Sequence, residues 1–273
     1  MKKKLVIMIT GTGSGLGREL SVQLAINGHD VFACSRDPSK IKAFLEKQNL
    51  FLTNLIPLKM DLAKAVSVKA TCDYILKKMG KIDVLINNAG YGLIGPIESL
   101  SVPQLKRLFA VNFFGAVLCI QNVLPQMRKQ KSGLIVNISS VSGIIGSPLL
   151  GGYCASKFAL EGLSECLAME LEKYNIKVMV IEPGLLKSNF IEDIEIGNRL
   201  KIVHNPYFIE TQRRIKSILE LVNSRKAEKL VKVAKIIVQA IEKNQKVFRI
   251  QTGSWAKEVV ARKLKEPVLL ISK

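Results

Sequence analysis

Tyr153 and Lys157 stand four residues apart in Tyr153-Cys154-Ala155-Ser156-Lys157. On a helix that spacing puts both on one face, stacked about a turn apart. A free phenol titrates near ~10, too high to shuttle protons at neutral pH. A cation held close favours the phenolate and lowers that value by roughly 1–3 units. Such a pair is a candidate general acid/base for moving a proton to or from an alcohol or carbonyl oxygen. An exposed Tyr/Lys pair on any helix has the same spacing, so the assignment depends on what the rest of the chain places around it.

The chain opens on Leu5-Val6-Ile7-Met8-Ile9, the composition of a strand buried on both faces of a parallel sheet. It runs into Thr10-Gly11-Thr12-Gly13-Ser14-Gly15-Leu16-Gly17. A helical stripe of Leu16, Leu20 and Leu24 follows, with Gly28 as terminator. Strand, glycine loop and helix N-terminus together suit a dinucleotide: glycines admit its pyrophosphate and the helix's free N–H groups favour its charge. The spacing is Gly-x-x-x-Gly-x-Gly. No Gly-Lys-Ser/Thr closes it, which excludes the phosphate loop of nucleoside triphosphatases.

With these elements the chain resembles the short-chain dehydrogenase/reductase family, from about Lys4 to Gly184 and more weakly to about Gln251. The residues that carry the resemblance are Thr10-Gly11-x-x-x-Gly15-x-Gly17, Asn87-Asn88-Ala89-Gly90, Ser140, and Tyr153-x-x-x-Lys157. Asn112 stands where the family places a further catalytic asparagine. The resemblance implies an oxidoreductase in which Tyr153 exchanges the proton and Lys157 lowers its pKa and holds the nicotinamide ribose. Ser140 would bind the substrate oxygen, and Asn112 would hold a water linking Lys157 to solvent. Ser139 competes with Ser140; the spacing to Tyr153 favours Ser140. The cofactor would lie along Gly11, Thr12, Ser14, Gly15, Leu16 and Gly17. It would continue past Asp61 and Leu62 at the adenine, then Asn88, Ala89 and Gly90. Pro183, Gly184 and Ser188 would flank the nicotinamide amide, with Ser188 replacing the threonine usual in the family. Asp61 also suits an N-cap for a helix beginning near Ala63.

Strand-like runs fall near residues 4–10, 30–35, 54–59, 82–87, 132–139, 176–182 and 246–251. Helical patterns fall near 15–27, 38–48, 63–79, 101–111, 113–130, 152–173 and 227–243. This alternation predicts an α/β fold: one Rossmann-type, doubly wound parallel sheet of about seven strands with helices on both faces. We expect a catalytic domain over residues 1–254, containing a variable substrate lid over 185–225 without clear strands, and a basic C-terminal extension over 255–273. Gly11, Asn87, Ser140 and Pro183 all sit just beyond C-terminal strand ends, where open α/β sheets bind ligands.

The second strand ends at Ser35-Arg36-Asp37. An acidic residue there would accept the adenosine ribose hydroxyls of NAD, whereas Arg36 can pair with a 2′-phosphate. NADP(H) is therefore expected. NAD(H) stays open, because Asp37 could turn inward.

The five scattered cysteines show no Cys-x-x-Cys spacing, which suggests reduced thiols and a cytoplasmic location. Cys154 beside Tyr153 reads as a structural thiol, and His29 and His204 are too few for a usual zinc site, so no metal is expected. The short apolar run after Lys2-Lys3-Lys4 reads as a strand rather than a signal peptide. No apolar stretch reaches about 18 residues, so no membrane span is expected. A net charge of +19, from 41 basic and 22 acidic residues, attracts polyanions. No nucleic-acid motif accompanies it, so no specific nucleic-acid partner is expected. Trp255–Leu264 reads as a basic amphipathic helix suited to dimer packing, a solvated tail or peripheral contact with anionic lipid. The family resemblance implies a homodimer or homotetramer.

Ile144, Ile145, Leu149 and Leu150, with Tyr91, Leu93 and Ile94, would line a pocket for a lipophilic substrate or pack against the lid or a partner subunit. Asn88-Ala89-Gly90-Tyr91-Gly92 and Ile181-Glu182-Pro183-Gly184 resemble the hydroxysteroid and retinol dehydrogenase branch. That points to a lipophilic alcohol, ketone or aldehyde. Two other readings stand beside it: a 3-oxoacyl reductase acting on a carrier-protein or coenzyme A thioester, and a non-catalytic NADP(H)-binding regulator. The intact Ser140, Tyr153 and Lys157 argue against the regulator.

Overall fold

The computed structural model describes residues 3–187, 194–201, 205–224 and 227–264. Strand β1 (Val6–Thr10) sends Val6 and Met8 into one apolar layer and Ile7 and Ile9 into the other, so it is buried on both faces. Around it lie β2 (Asp30–Ser35), β3 (Leu55–Lys59), β4 (Val84–Asn87), β5 (Gly133–Ile138), β6 (Ile176–Pro183) and β7 (Arg249–Thr252). They form one seven-stranded sheet in the order β3-β2-β1-β4-β5-β6-β7. Every pairing in it is parallel. This is the expected doubly wound fold.

One face is covered by α1 (Gly15–Ile26), α2 (Ser39–Lys47) and α8 (Leu230–Glu242), whose Leu20, Leu24, Ile41, Val233 and Ile237 share one core with Ile7 and Ile9. The other is covered by α3 (Ala65–Met79), α5 (Gly115–Gln130) and α6 (Gly151–Leu171) through Cys72, Ile75, Cys119, Val123 and Leu167. The strand order reverses between β1 and β4. That puts the ends of these two neighbours at the switch point where such sheets bind ligands.

Some elements depart from the sequence expectation. The helical patterns near 101–111 and 113–130 are one continuous helix. Segment α4 (Val102–Phe109) passes into α5 through a π-turn at Ala110–Phe114, where the Gly115 N–H reaches the Ala110 carbonyl. Asn112 widens the turn rather than breaking the helix. By length and composition this 29-residue helix is apolar enough to cross a membrane, which a search for uninterrupted apolar runs misses. Its Cys119, Ile120, Val123 and Met127 are instead fully engaged in the sheet's core.

The stretch expected to form a lid takes part in short strands that the sequence pattern did not reveal. Glu195–Ile196 pairs with Leu93–Ile94, and Leu186–Lys187 pairs with Glu228–Lys229. Helix α7 (Phe208–Asn223) follows, with Thr211 as its buried residue. Two-residue strands carry no period that a sequence can display. The chain then reaches α9 (Ser254–Leu264). Ala256 and Val260 of α9 are buried against Val141 and Ile144, so this apolar stripe packs inside the molecule.

Candidate active site

The glycine loop leaves β1 with Gly11 at φ +73°, a conformation that favours glycine. A Cβ on Gly11 would lie 2.6 Å from the Ala89 Cα, and one on Gly17 would lie 2.3 Å from Asn88 Nδ2. The loop and the segment after β4 are therefore in backbone contact. Asn88 fixes that contact by donating from Nδ2 to the carbonyls of Thr10 (2.9 Å) and Gly11 (3.1 Å). Thr10 completes it: its Oγ1 accepts the N–H groups of Asn88 and Ala89, each at 3.1 Å. Thr10 lay inside the sequence motif but was not singled out, since its bond crosses from one strand end to the next. Asn87 turns the other way, donating to Asn137 Oδ1 at 2.9 Å in the core. Leu16 is buried in the α1 core stripe, while Ser14 and Gly15 open α1. The hydroxyls of Thr12 and Ser35 are buried without a hydrogen-bond partner. Oxygens of a dinucleotide's phosphates and ribose would satisfy such atoms, so the residues present fit the expected cofactor.

Where the sequence expects the adenine end, a cleft of about 480 Å³ is lined by Arg36, Lys59, Asp61 and Lys64 among others. Asp37 does not turn inward. Its Oδ1 accepts from Ser39 N (3.0 Å) and Ser39 Oγ (2.5 Å), and these bonds hold its carboxyl below the usual carboxylate range. Asp61 Oδ1 accepts from Ala63 N at 3.1 Å, a turn that precedes α3 by two residues. Leu62 is buried beside Gly115.

Tyr153 and Lys157 share the inner face of α6 and are 9% and 4% exposed. Ser140 begins the loop after β5, and its hydroxyl hydrogen-bonds the Tyr153 phenol. Ser139 lies instead beside Glu161, so the serine at the phenol is Ser140, the one that spacing favours. Burial pushes the phenol up to about 12, against the Ser140 hydrogen bond. Lys157 Nζ lies 5.9 Å from the Tyr153 ring centre and donates to the Ile138 carbonyl at 2.8 Å. The acidifying contact expected from the spacing is thus not direct. Burial also draws the Lys157 ammonium down to about 8, with Glu161 opposing.

Asn112 is 1% exposed at the π-turn. Its Oδ1 accepts Tyr91 N (3.1 Å), and its Nδ2 donates to Tyr91 O (3.0 Å) and Ser156 Oγ (3.1 Å). A Cβ on Gly90 would lie 3.3 Å from Asn112 Oδ1 and 3.5 Å from Lys157 Nζ, so the missing side chain keeps these two atoms open to one shared space.

On the side where the nicotinamide is expected, Pro183 ends β6 and Gly184 N donates to Thr252 O at 3.3 Å. A Cβ on Gly184 would meet Trp255 and Ala256 of α9, each at 3.1 Å. Ser188 lies outside the described residues. Leu93 and Ile94 are fully buried and pair with Glu195–Ile196, and Ile144 packs on α9. Tyr91, Ile145, Leu149 and Leu150 stay half-buried. Gln104, which the sequence pattern does not single out, holds the strand Glu195–Ile196 by donating to Glu195 Oε1 (2.8 Å) and Ile196 O (3.0 Å). The Cys154 thiol is raised by burial, as for an inert group.

The sequence profile of the family described as short chain dehydrogenase matches residues 5–198. The chain is 38% identical over 192 residues to 3-ketodihydrosphingosine reductase of Bacteroides thetaiotaomicron, covering 70% of this chain and 68% of that protein. It is 35% identical over 274 residues to bovine (Bos taurus) retinol dehydrogenase 8, covering 96% and 85%. Among solved structures, a short-chain dehydrogenase from Streptomyces avermitilis superimposes with a TM-score of 0.84 at 27% identity, covering 96% and 93%.

Proposed function

Because the chain belongs to the short chain dehydrogenase family of nicotinamide-dependent oxidoreductases, we propose that it transfers a hydride between NADP(H) and a lipophilic alcohol, ketone or aldehyde, with Tyr153 as general acid/base. The observation that carries this reading is the Ser140–Tyr153 hydrogen bond at a buried strand end, with Lys157 one helical turn behind. The bound nicotinamide would supply or accept the hydride.

Ser140 would hold the substrate oxygen, donating more strongly as charge develops on it. Tyr153 would give that oxygen its proton in reduction and take it in oxidation. Lys157 would bind the nicotinamide ribose and lend its charge to the phenolate, lowering the value that burial, opposed by the Ser140 hydrogen bond, sets near 12. The space at Gly90 between Asn112 Oδ1 and Lys157 Nζ suits a water that returns the proton to solvent.

Preference for NADP(H) rests on Arg36 at the end of β2 together with the capture of Asp37 by Ser39. That capture leaves no carboxylate turned toward the ribose at this position to repel a 2′-phosphate. A lipophilic substrate is supported by the half-buried Tyr91, Ile145, Leu149 and Leu150 beside the site. Two relatives, named for a sphingoid ketone and for retinol, support it too. All five cysteines are free thiols, in keeping with a cytoplasmic setting. Homo-oligomers are part of the same reading.

A Tyr153→Phe variant tests it. Turnover on a ketone and alcohol panel, followed by nicotinamide absorbance, should fall by at least about a thousandfold while NADPH still binds. Undiminished turnover would remove Tyr153 from the mechanism. The net charge of +19 favours one second reading, a 3-oxoacyl reductase that recruits an acidic carrier.

A further inference from the structure

Behind the catalytic face of α6 lies a cluster of charges that the mechanism above does not use. Arg249 on β7 reaches three carboxylates at once. Its Nε lies 2.9 Å from Glu182 Oε1 on β6, and its NH2 lies 3.3 Å from Glu161 Oε2; it also pairs with Glu165. The Glu182 and Glu161 side chains are 0% and 8% exposed. Glu161 stands four residues beyond Lys157 on α6, one turn along the same face. The fit around it is close. A Cβ on Gly143 would lie 2.6 Å from Ser139 Oγ, 3.0 Å from Glu161 Cγ and 3.2 Å from the Lys157 carbonyl.

A buried ammonium needs a compensating charge, and the Lys157 ammonium bonds to a neutral carbonyl, that of Ile138. The charge that acts on it is Glu161, on its own helix; in the cluster behind, Glu165 also lies on α6, Glu182 on β6 and Arg249 on β7. The π-turn contributes the neutral Asn112, and α6 also carries the Tyr153 phenol. Resting on the assignment of Tyr153 and Lys157 as the acid/base pair, we propose that Glu161 is a positioning residue which keeps Lys157 charged, and that Arg249 in turn keeps Glu161 ionised. Charge would then alternate from the last strand to the catalytic lysine: guanidinium, carboxylate, ammonium. Burial and the neighbouring Glu182 push the Glu161 carboxyl up, while Ser139 and Arg249 hold it down. The same Glu161 is the charge that opposes the loss of the Lys157 proton.

The sign of the effect follows. Without the Glu161 charge, burial acts on Lys157 unopposed and the lysine releases its proton at lower pH. A neutral lysine no longer favours the phenolate, so the phenol titrates higher. The rising limb of the pH profile for alcohol oxidation should therefore move up by roughly half a unit to one unit in Glu161→Gln, making oxidation at neutral pH roughly 3- to 10-fold slower. Glu161→Asp should return the limb toward its original place.

The experiment is the pH dependence of kcat and kcat/KM for alcohol oxidation in the wild type and both variants, with NADPH affinity measured alongside. A purely structural role would lower kcat at every pH and leave the limb where it was; that result overturns the proposal. Should Glu161→Gln fail to fold, Arg249→Met decides in its place. It leaves Glu161 to take up a proton, and it too should raise the limb; an unmoved limb overturns the proposal. Tyr153→Phe is run in parallel. If that variant turns over normally, the acid/base assignment fails. If it is inactive while Glu161→Gln leaves the limb in place, only the role of Glu161 fails.

Discussion

At the scale of single residues, the site sets burial against charge. Lys157 illustrates the cost. Its pKa is drawn from 10.5 to about 8 by burial, a stability penalty of about 1–3 kcal/mol at neutral pH. Lys157→Met should therefore abolish turnover while raising the melting temperature by a few degrees at pH 7. The gain should shrink between pH 8 and pH 10.5, because there the unfolded chain keeps a proton that the folded lysine has already released. A melting series across that range checks both the sign and the window. Arg36 offers a cleaner test of the cofactor. Arg36→Ala should raise the KM for NADPH by tenfold or more and change that for NADH far less, since only the former carries the 2′-phosphate. Equal effects would show that Arg36 does not read it.

Among the elements, those with local signatures were legible and those with distant partners were not. The glycine loop and Tyr153-x-x-x-Lys157 are read from spacing because one strand–turn–helix or one helical face presents each of them. The π-turn at Asn112 leaves no such trace: one polar residue between apolar ones looks like a break, and only the i→i+5 bond from Gly115 shows a widened turn. The role of α9 was hidden for another reason. Its Lys257, Arg262 and Lys263 suggest a surface helix, but Ala256 and Val260 pack against Val141 and Ile144 in the loop that carries Ser140, and Trp255 and Ala256 against Gly184. Ala256→Leu would force a larger side chain into that contact. It should cost about 1–3 kcal/mol of stability and depress kcat more than NADPH affinity, as thermal melts and steady-state kinetics would register. Unchanged kcat would separate α9 from the site.

Over the whole molecule, alternating apolar strands and amphipathic helices fixed the sheet, and the order in which β1, β4, β5 and β6 lie side by side gathers four strand ends into one site. What the alternation could not reveal is which charge lies behind which, because Arg249 is drawn to Glu161 across 88 residues of sequence. The +19 net charge belongs to this scale too. If it recruits an acidic carrier, activity on a carrier-linked thioester should fall steeply between low salt and about 0.2 M, whereas activity on a small ketone should not. The position of β7 also bears on how the enzyme is made. Tyr153 and Lys157 leave the ribosome well before Arg249, a delay on the order of 10 s at roughly 5–20 residues per second. A nascent chain can close its glycine loop around a nucleotide in that interval. On the proposed arrangement, the guanidinium that keeps Glu161 ionised arrives only with the last strand, so such a chain would hold its coenzyme before the charge on its lysine was fully supported.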